Sequence, residues 1–282
     1  MYKNLNLGAL GHTLQFDKTC DFARQYNFAG VDLDLGYLSY LEKNQGLQAA
    51  KDWFAQTGLH AGGFGLNVAW RDTDNEQKYV ESLVRFIVEA KLAAEFGCDR
   101  CYTWVKPSSD TLSFQQHFDL AVRRLKPVAE ILNAYNIRLG LEFVGPRTLR
   151  LGHKHDFIHT PEGIRSLGAA IGTGNIGLLL DCFHWYTAHG SIRDIEAVPA
   201  AEIVYVHAND AIAGRSADDQ IDNERDMVGA TSVIDIKAFF GALRKIGYDG
   251  PVTVEPFSNT VRKMTTEQAI AATSAALDKT LA

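Results

Sequence analysis

The sequence predicts one α/β domain, a (β/α)₈ TIM barrel spanning residues 1–282. Three observations predict it. Short apolar runs alternate with helical patterns eight times, with no evident linker between units. The length suits such a barrel, which typically takes about 250 residues. Four of the runs end in a carboxylate or an imidazole: IRLGLE (137–142), NIGLLLD (175–181), IVYVH (203–207) and PVTVE (251–255). A doubly wound open sheet is the alternative, but GALGH (8–12) does not give the G-x-G-x-x-G spacing after a first strand.

Taken in order, LNLGAL (5–10) is read as the first strand, followed by a helix at roughly 15–26. GVDLDL (30–35) leads to a helix over 41–57, and LHAGGFGL (59–66) to one over 75–96. Within 76–97, Val80, Leu83, Val84, Ile87 and Val88 recur close to the 3.6-residue period, and Gly97 is placed as the C-cap. RCYTWV (100–105) precedes a helix at 114–135, and IRLGLEF (137–143) one at 161–170. Thr160 and Pro161 mark that last start, as N-cap and first helical residue. IGLLLD (176–181), IVYVHA (203–208) and PVTVEP (251–256) complete the set, with helices at 191–197, 235–246 and 266–280. The two longest non-helical connections, Gly145–His159 and Asn209–Val233, follow strands five and seven, on the side where barrels build their sites.

Strand parity supports convergence. If Glu142 points inward, so do Gly140 and Arg138; Asp181 shares its face with Leu179 and Gly177, and Glu255 shares with Thr253. Small residues thus recur below the acidic ones, as a tapering interior needs.

Composition narrows the function classes. Hydrophobic content of 46% supplies a large core, while a net charge of −6 and no dense Lys/Arg run give no support for a nucleic-acid surface. No stretch of 18 apolar residues argues for a membrane span. MYKNLNLGALGHTLQFD carries no secretory pattern, so a cytoplasmic location is expected. Cys98 and Cys101 form a C-x-x-C, but on a strand residues three apart face opposite ways, so all four cysteines are expected as buried free thiols.

Glu142, Asp181, His207 and Glu255 make an oxygen-rich set with one nitrogen, suited to a fairly hard divalent cation such as Mn²⁺ or Mg²⁺. The stretches LEFVGP (141–146), LLLDCFHWY (178–186), VYVHANDA (204–211) and VTVEPF (252–257) resemble the xylose isomerase-like barrel superfamily, of the sugar phosphate isomerase/epimerase type. The resemblance, to its D-tagatose 3-epimerase and inosose-processing branches, is close over strands five to eight. In the first half it is carried by strand–helix rhythm alone. It implies that Glu142, Asp181, His207 and Glu255 bind one divalent metal ion; three carboxylates among the four donors favour Mn²⁺, with Mg²⁺, Co²⁺ or Zn²⁺ as alternatives. Residue chemistry makes Glu142 and Glu255 the carboxylates that remove and return a proton, and the resemblance implies that His184 binds substrate or supports the metal's water. An Arg after strand seven binds substrate in that family. RDMVGATSVID (225–235) offers Arg225, but has Val228 for the family's Pro and an extra residue before Asp235, which leaves Arg215 as a competitor.

Position alone adds Trp104 and Trp185 as aromatic walls for a sugar, alongside Trp70, and His12 and Lys106 as polar contacts beyond strands one and four. The histidines of HKHDFIH (153–159) are read as a solvated or lid segment. The expected function is isomerisation or epimerisation of a small sugar or keto-polyol through an enediolate, with a homo-oligomer left open. A dehydratase of the inosose or dehydroshikimate type is the main rival, and a non-catalytic sugar-binding barrel the second. A multi-zinc repair nuclease would need further histidines near the ends of strands three and four, where the sequence has Gly63-Phe64-Gly65 and Thr103-Trp104-Val105. No nucleic-acid partner and no membrane are expected.

Overall fold

The computed structural model describes residues 1–281. Its barrel strands run, in chain order, Tyr2–Leu5, Gly30–Val31, a third strand in two halves, Arg100–Trp104, Arg138–Glu142, Ile176–Asp181, Ile203–Ala208 and Pro251–Val254. The halves of the third strand are His60–Ala61 and Phe64–Gly65. All neighbours pair in parallel, and the first strand pairs with the last through Tyr2↔Pro251 and Asn4↔Thr253. The two halves of strand three are the two ends of the sheet, with only Gly62 and Gly63 between them. The sheet therefore closes on itself, as expected.

Those glycines are required by what fills the interior. A Cβ at Gly62 would sit 1.9 Å from Asn4 Oδ1, and one at Gly63 would sit 2.8 Å from the Tyr205 ring. The barrel at this level is packed with polar side chains. Asp32 accepts hydrogen bonds from Asn4 Nδ2 (2.8 Å), Asn6 Nδ2 (2.9 Å), Tyr102 Oη (2.5 Å) and Tyr205 Oη (2.6 Å). Thr253 Oγ1 joins the same cluster, 2.6 Å from Tyr205 Oη and 3.0 Å from Asn4 Nδ2. Burial raises the Asp32 carboxyl above its ordinary pKa, although the tyrosines and Asn4 pull it down.

Several elements differ from the sequence reading. The first strand is Tyr2–Leu5 and not 5–10: Leu7 to Gly11 form a turn, and Leu7 and Leu10 are buried beyond the strand. The helix expected at 41–57 is two, Leu35–Gln45 and Leu47–Thr57, broken where Gly46 takes φ 88°. Only glycine holds that conformation cheaply. A short helix at Cys182–Thr187 follows strand six directly, and another at Asn259–Arg262 follows strand eight after four residues.

Helix Glu76–Glu95 buries Tyr79, Ser82, Phe86, Ala90 and Ala93 against the barrel, while Val80, Val84, Ile87 and Val88 stay exposed. The apolar period in the sequence marks its outer face. Among the described residues no helix is long and apolar enough to cross a membrane. All four cysteines are free and buried.

Candidate metal centre and active site

The strand ends bring Glu142, Asp181, His207 and Glu255 together: one donor atom from each lies within 4.8 Å of the others. Pairing fixes the depth of this ring, with His207 level with Asp181 on the neighbouring strand and Thr253 level with His207 on the next. His207 Nδ1 faces all three carboxylates, 3.3 Å from Glu142 Oε1, 3.5 Å from Glu255 Oε2 and 3.8 Å from Asp181 Oδ2. Its Nε2 is buried without a hydrogen-bond partner. Tyr102 and Tyr205, held from below by Asp32, pack edge-on to the imidazole at 5.9 and 5.5 Å between ring centroids.

Asp181 is the most firmly held member. It caps the helix that follows, its Oδ1 accepting from Phe183 N (2.7 Å) and Asn209 Nδ2 (3.1 Å). Its Oδ2 accepts from Arg225 Nη1 at 2.8 Å. Burial alone would raise its pKa, but the positive charge of Arg225 and the nearby imidazoles outweigh it and hold the carboxyl well below the usual range. Burial pushes the Glu142 carboxyl up, against the pull of His207 and His184. For His207, burial disfavours the charged ring, yet Glu255 and Glu142 outweigh it and raise the imidazole well above its ordinary value.

Arg225 is drawn into this ring despite the altered motif around it. Its Nη1 also reaches Glu255 Oε2 at 3.3 Å, and its Nη2 donates to Asp222 Oδ1 (2.7 Å) and His184 Nε2 (3.2 Å). The guanidinium lies between the rings of Phe183 and Phe257, 4.5 and 4.7 Å from their centroids. Arg215, the competitor, instead pairs with Glu224 at 2.6 Å out in the loop. Asp210 anchors that loop: its carboxylate accepts from Ala211, Thr231, Ser232 and Ile234 backbone N–H groups. That is a structural role.

His184 sits on the Cys182–Thr187 helix, buried, with Nδ1 3.4 Å from Gly145 N. Gly145 has no room for a side chain, since a Cβ there would lie 2.2 Å from His184 O. The ring of charges opens into a 500 Å³ cavity whose wall includes Trp104, Lys106, Ser108, His153, Asp222 and Phe257. Trp104 is 44% exposed and stacks on the Arg71 guanidinium at 4.3 Å.

Two expected contacts lie elsewhere. Trp185 is buried in the helical layer, its ring 5.6 Å from Phe239 and its Nε1 donating to Ser191 O at 3.2 Å, because the helix after Asp181 turns it away from the mouth. His12 lines a separate 390 Å³ cavity over strands one to four, with Asn6 and Asp32, and its Nε2 lies 3.1 Å from Val261 O. Trp70 is buried too. Asp222 and Phe257 were not singled out from sequence; Asp222, three residues before Arg225, had spacing as its only signal. His153 pairs with Asp110 at 3.0 Å on the cavity rim, which ties the 153–159 segment to the site.

A closed (β/α)₈ barrel with three carboxylates and an imidazole at its carboxyl-end mouth defines a class: barrels able to hold a metal ion over a polar cavity. The chain belongs to the xylose isomerase-like TIM barrel family, whose model matches residues 20–280. A xylose isomerase domain protein from Alicyclobacillus acidocaldarius superposes with a TM-score of 0.87 at 28% identity, covering 100% of this chain and 98% of that one. A ketose 3-epimerase from Arthrobacter globiformis is 28% identical over 224 residues, 76% of this chain and 70% of the relative. An inosose isomerase from Halalkalibacterium halodurans is 29% identical over 149 residues, 53% of this chain and 50% of the relative. This chain spans about half the length of the inosose isomerases it matches.

Proposed function

We propose that this protein is a divalent-metal-dependent isomerase or epimerase of a small ketose or keto-polyol. The observation that carries the reading is the four-residue donor ring within 4.8 Å, opening on a 500 Å³ cavity sized for a monosaccharide. The donor set fits a cation. Three carboxylates converge on one guanidinium and one imidazole, an acidic surplus that a divalent ion would offset. Glu142, Asp181, His207 and Glu255 would hold it, and three oxygen-donor residues in four favour Mn²⁺ over Zn²⁺. Bound there, the ion supplies Lewis acidity that makes the hydrogen between a carbonyl and its neighbouring hydroxyl easier to remove.

The chain's own residues do the rest. Glu142 and Glu255 come from strands five and eight and approach the cavity from different sides. One removes the proton from the carbon beside the carbonyl, and the other returns a proton to the opposite face or the adjacent carbon. Arg225, His184 and Asp222 form a hydrogen-bonded line along the wall that orients substrate oxygens. Trp104 and Phe257 offer apolar faces for the sugar's C–H groups, and Lys106 offers a cation at the far wall. The relatives named as a ketose 3-epimerase and as inosose isomerases support the reaction class.

The test is solvent exchange. A substrate incubated with protein and Mn²⁺ in D₂O is expected to gain deuterium next to its carbonyl, with every oxygen retained. A product lighter by one water would make the site a dehydratase; turnover without deuterium uptake would replace proton transfer with a hydride shift.

A further inference from the structure

Arg71 reaches the wall of the cavity from behind. It belongs to the loop between strand three and helix Glu76–Glu95, and that loop is pinned from outside. Arg124, buried on helix Phe114–Ala134, donates from Nη1 to the carbonyls of both Trp70 and Asp72. Its Nη2 donates to Glu76 Oε2 at 2.8 Å, and Ala69 N donates to Ser82 Oγ at 2.9 Å. The residues on either side of Arg71 are thereby fixed. Arg71 Nη1 donates to Thr103 Oγ1 (2.7 Å) and Trp104 O (2.8 Å). Its guanidinium lies 4.3 Å from the Trp104 ring centroid and 5.1 Å from that of Trp70. Trp104 lines the 500 Å³ cavity, whereas Arg71 does not. We propose that Arg71 is a positioning residue for substrate, bracing the Trp104 indole as a fixed wall of the cavity.

The inference rests on the reading of that cavity as a sugar site. An indole 44% exposed at a strand end keeps rotamer freedom that a ligand would have to remove on binding. A cation over its face removes that freedom in advance. Arginine suits the task because its planar group stacks on the ring while its N–H fork grips the strand beneath. Both of the Arg71 hydrogen bonds go to strand four, and none to Glu142, Asp181, His207 or Glu255. Its loss therefore acts on binding and leaves proton transfer alone. The brace is built from three layers: Arg124 in the helical ring, Arg71 in the loop, and Trp104 at the mouth.

Free ketopentoses and ketohexoses, assayed with Mn²⁺ by deuterium uptake from D₂O, serve as probes. Arg71→Leu is expected to raise KM by ~10-fold and hold kcat within ~3-fold, the pattern of lost uniform binding. Arg71→Lys should fall between, since an ammonium keeps the charge without the plane. In a Trp104→Ala background Arg71→Leu should add nothing, because both act through one ring. Mn²⁺ affinity by calorimetry should match wild type in Arg71→Leu, which shows the barrel intact. Fluorine NMR of protein carrying 5-fluorotryptophan gives a readout free of substrate, with Trp104→Phe assigning the signal. Arg71→Leu should shift the Trp104 signal and leave those of Trp53 and Trp185, packed on other aromatic rings, in place. A Trp104 signal indifferent to Arg71→Leu, a KM effect undiminished without Trp104, or a fall in kcat at constant KM would each overturn the proposal. If wild type exchanges no ketose, it is the isomerase reading that fails. The fluorine signal alone then upholds or overturns the placement of Trp104 by Arg71.

Discussion

Arg225 Nη1 lies 2.8 Å from Asp181 Oδ2, in a pair from which water is almost wholly excluded. Burying two charges is repaid only while both are present, and removing one costs about 3–5 kcal/mol. Arg225→Met should therefore destabilise chelator-treated protein by about that much. Saturating Mn²⁺ should restore a large part of it, because a cation held by Asp181 and Glu255 supplies the missing positive charge. Thermal unfolding of both proteins, with and without the ion, measures this. Equal destabilisation in the two conditions would mean that the carboxylates do not hold the ion.

Glu142→Gln and Glu255→Gln keep side-chain size while removing a base and a negative donor. Each should lower kcat/KM by at least ~10²-fold with the fold intact. Steady-state kinetics on the metal-loaded variants decide it. A variant that keeps near wild-type turnover with the metal bound removes that glutamate from the proton-transfer pair.

Which features were legible follows from how each residue earns its place. Strands five to eight are continuous apolar runs buried on both faces, and each ends at or beside one member of the Glu142, Asp181, His207 and Glu255 cluster, so residue type and position were enough to predict that those four meet. The first half of the barrel hides its logic, because Asn4 and Asp32 are polar residues that face inward and make the short strands there resemble loops. LHAGGFGL (59–66) reads as one strand, yet it is split at Gly62-Gly63 into the two halves where the sheet closes. Trp185 was misplaced because Asp181 is both strand end and helix cap, so the chain rotates by helical and not strand geometry from Cys182 onward. That same rotation brings His184 to the site. On helix 76–95 the period was legible but the direction of its stripe was not, since periodicity reports a stripe without saying what covers it.

His117 gives a pH test remote from the charge ring. Its ring stacks on Phe157 at 3.8 Å between centroids, its Nδ1 is buried without a partner, and burial, reinforced by Lys106, lowers its pKa from 6.5 to about 4. A depressed folded-state pKa means that the unfolded chain binds the proton first as pH falls. The contribution is thus complete above about pH 6.5 and is lost progressively between there and about pH 4. Allowing for solvent screening, the loss should be about 1–2 kcal/mol. His117→Phe should remove that segment of the stability profile in urea titrations from pH 7 to 4. An unchanged slope would mean that the imidazole charges as readily folded as unfolded.

Asp32 offers the sharpest test of the barrel interior, because everything that reaches its carboxylate is a donor. Asn4, Asn6, Tyr102 and Tyr205 present N–H or O–H groups to its two oxygens at 2.5–2.9 Å. Asp32→Asn preserves shape but replaces an acceptor oxygen with an amide that can only donate, so at least one donor is left opposite another. The substitution should therefore cost about 2–4 kcal/mol, nearly as much as Asp32→Ala. Its effect should also travel upward, since Tyr102 and Tyr205 form the edge-on wall that aims the His207 ring at the carboxylates. Loosening both phenols should weaken divalent-ion binding by roughly tenfold, as disturbing the partners that orient metal ligands commonly does. Urea unfolding and calorimetric titration with Mn²⁺ read the two effects separately. If Asp32→Asn were as stable as wild type and bound the ion equally well, the carboxylate would be neither the anchor of the polar layer nor the support of His207.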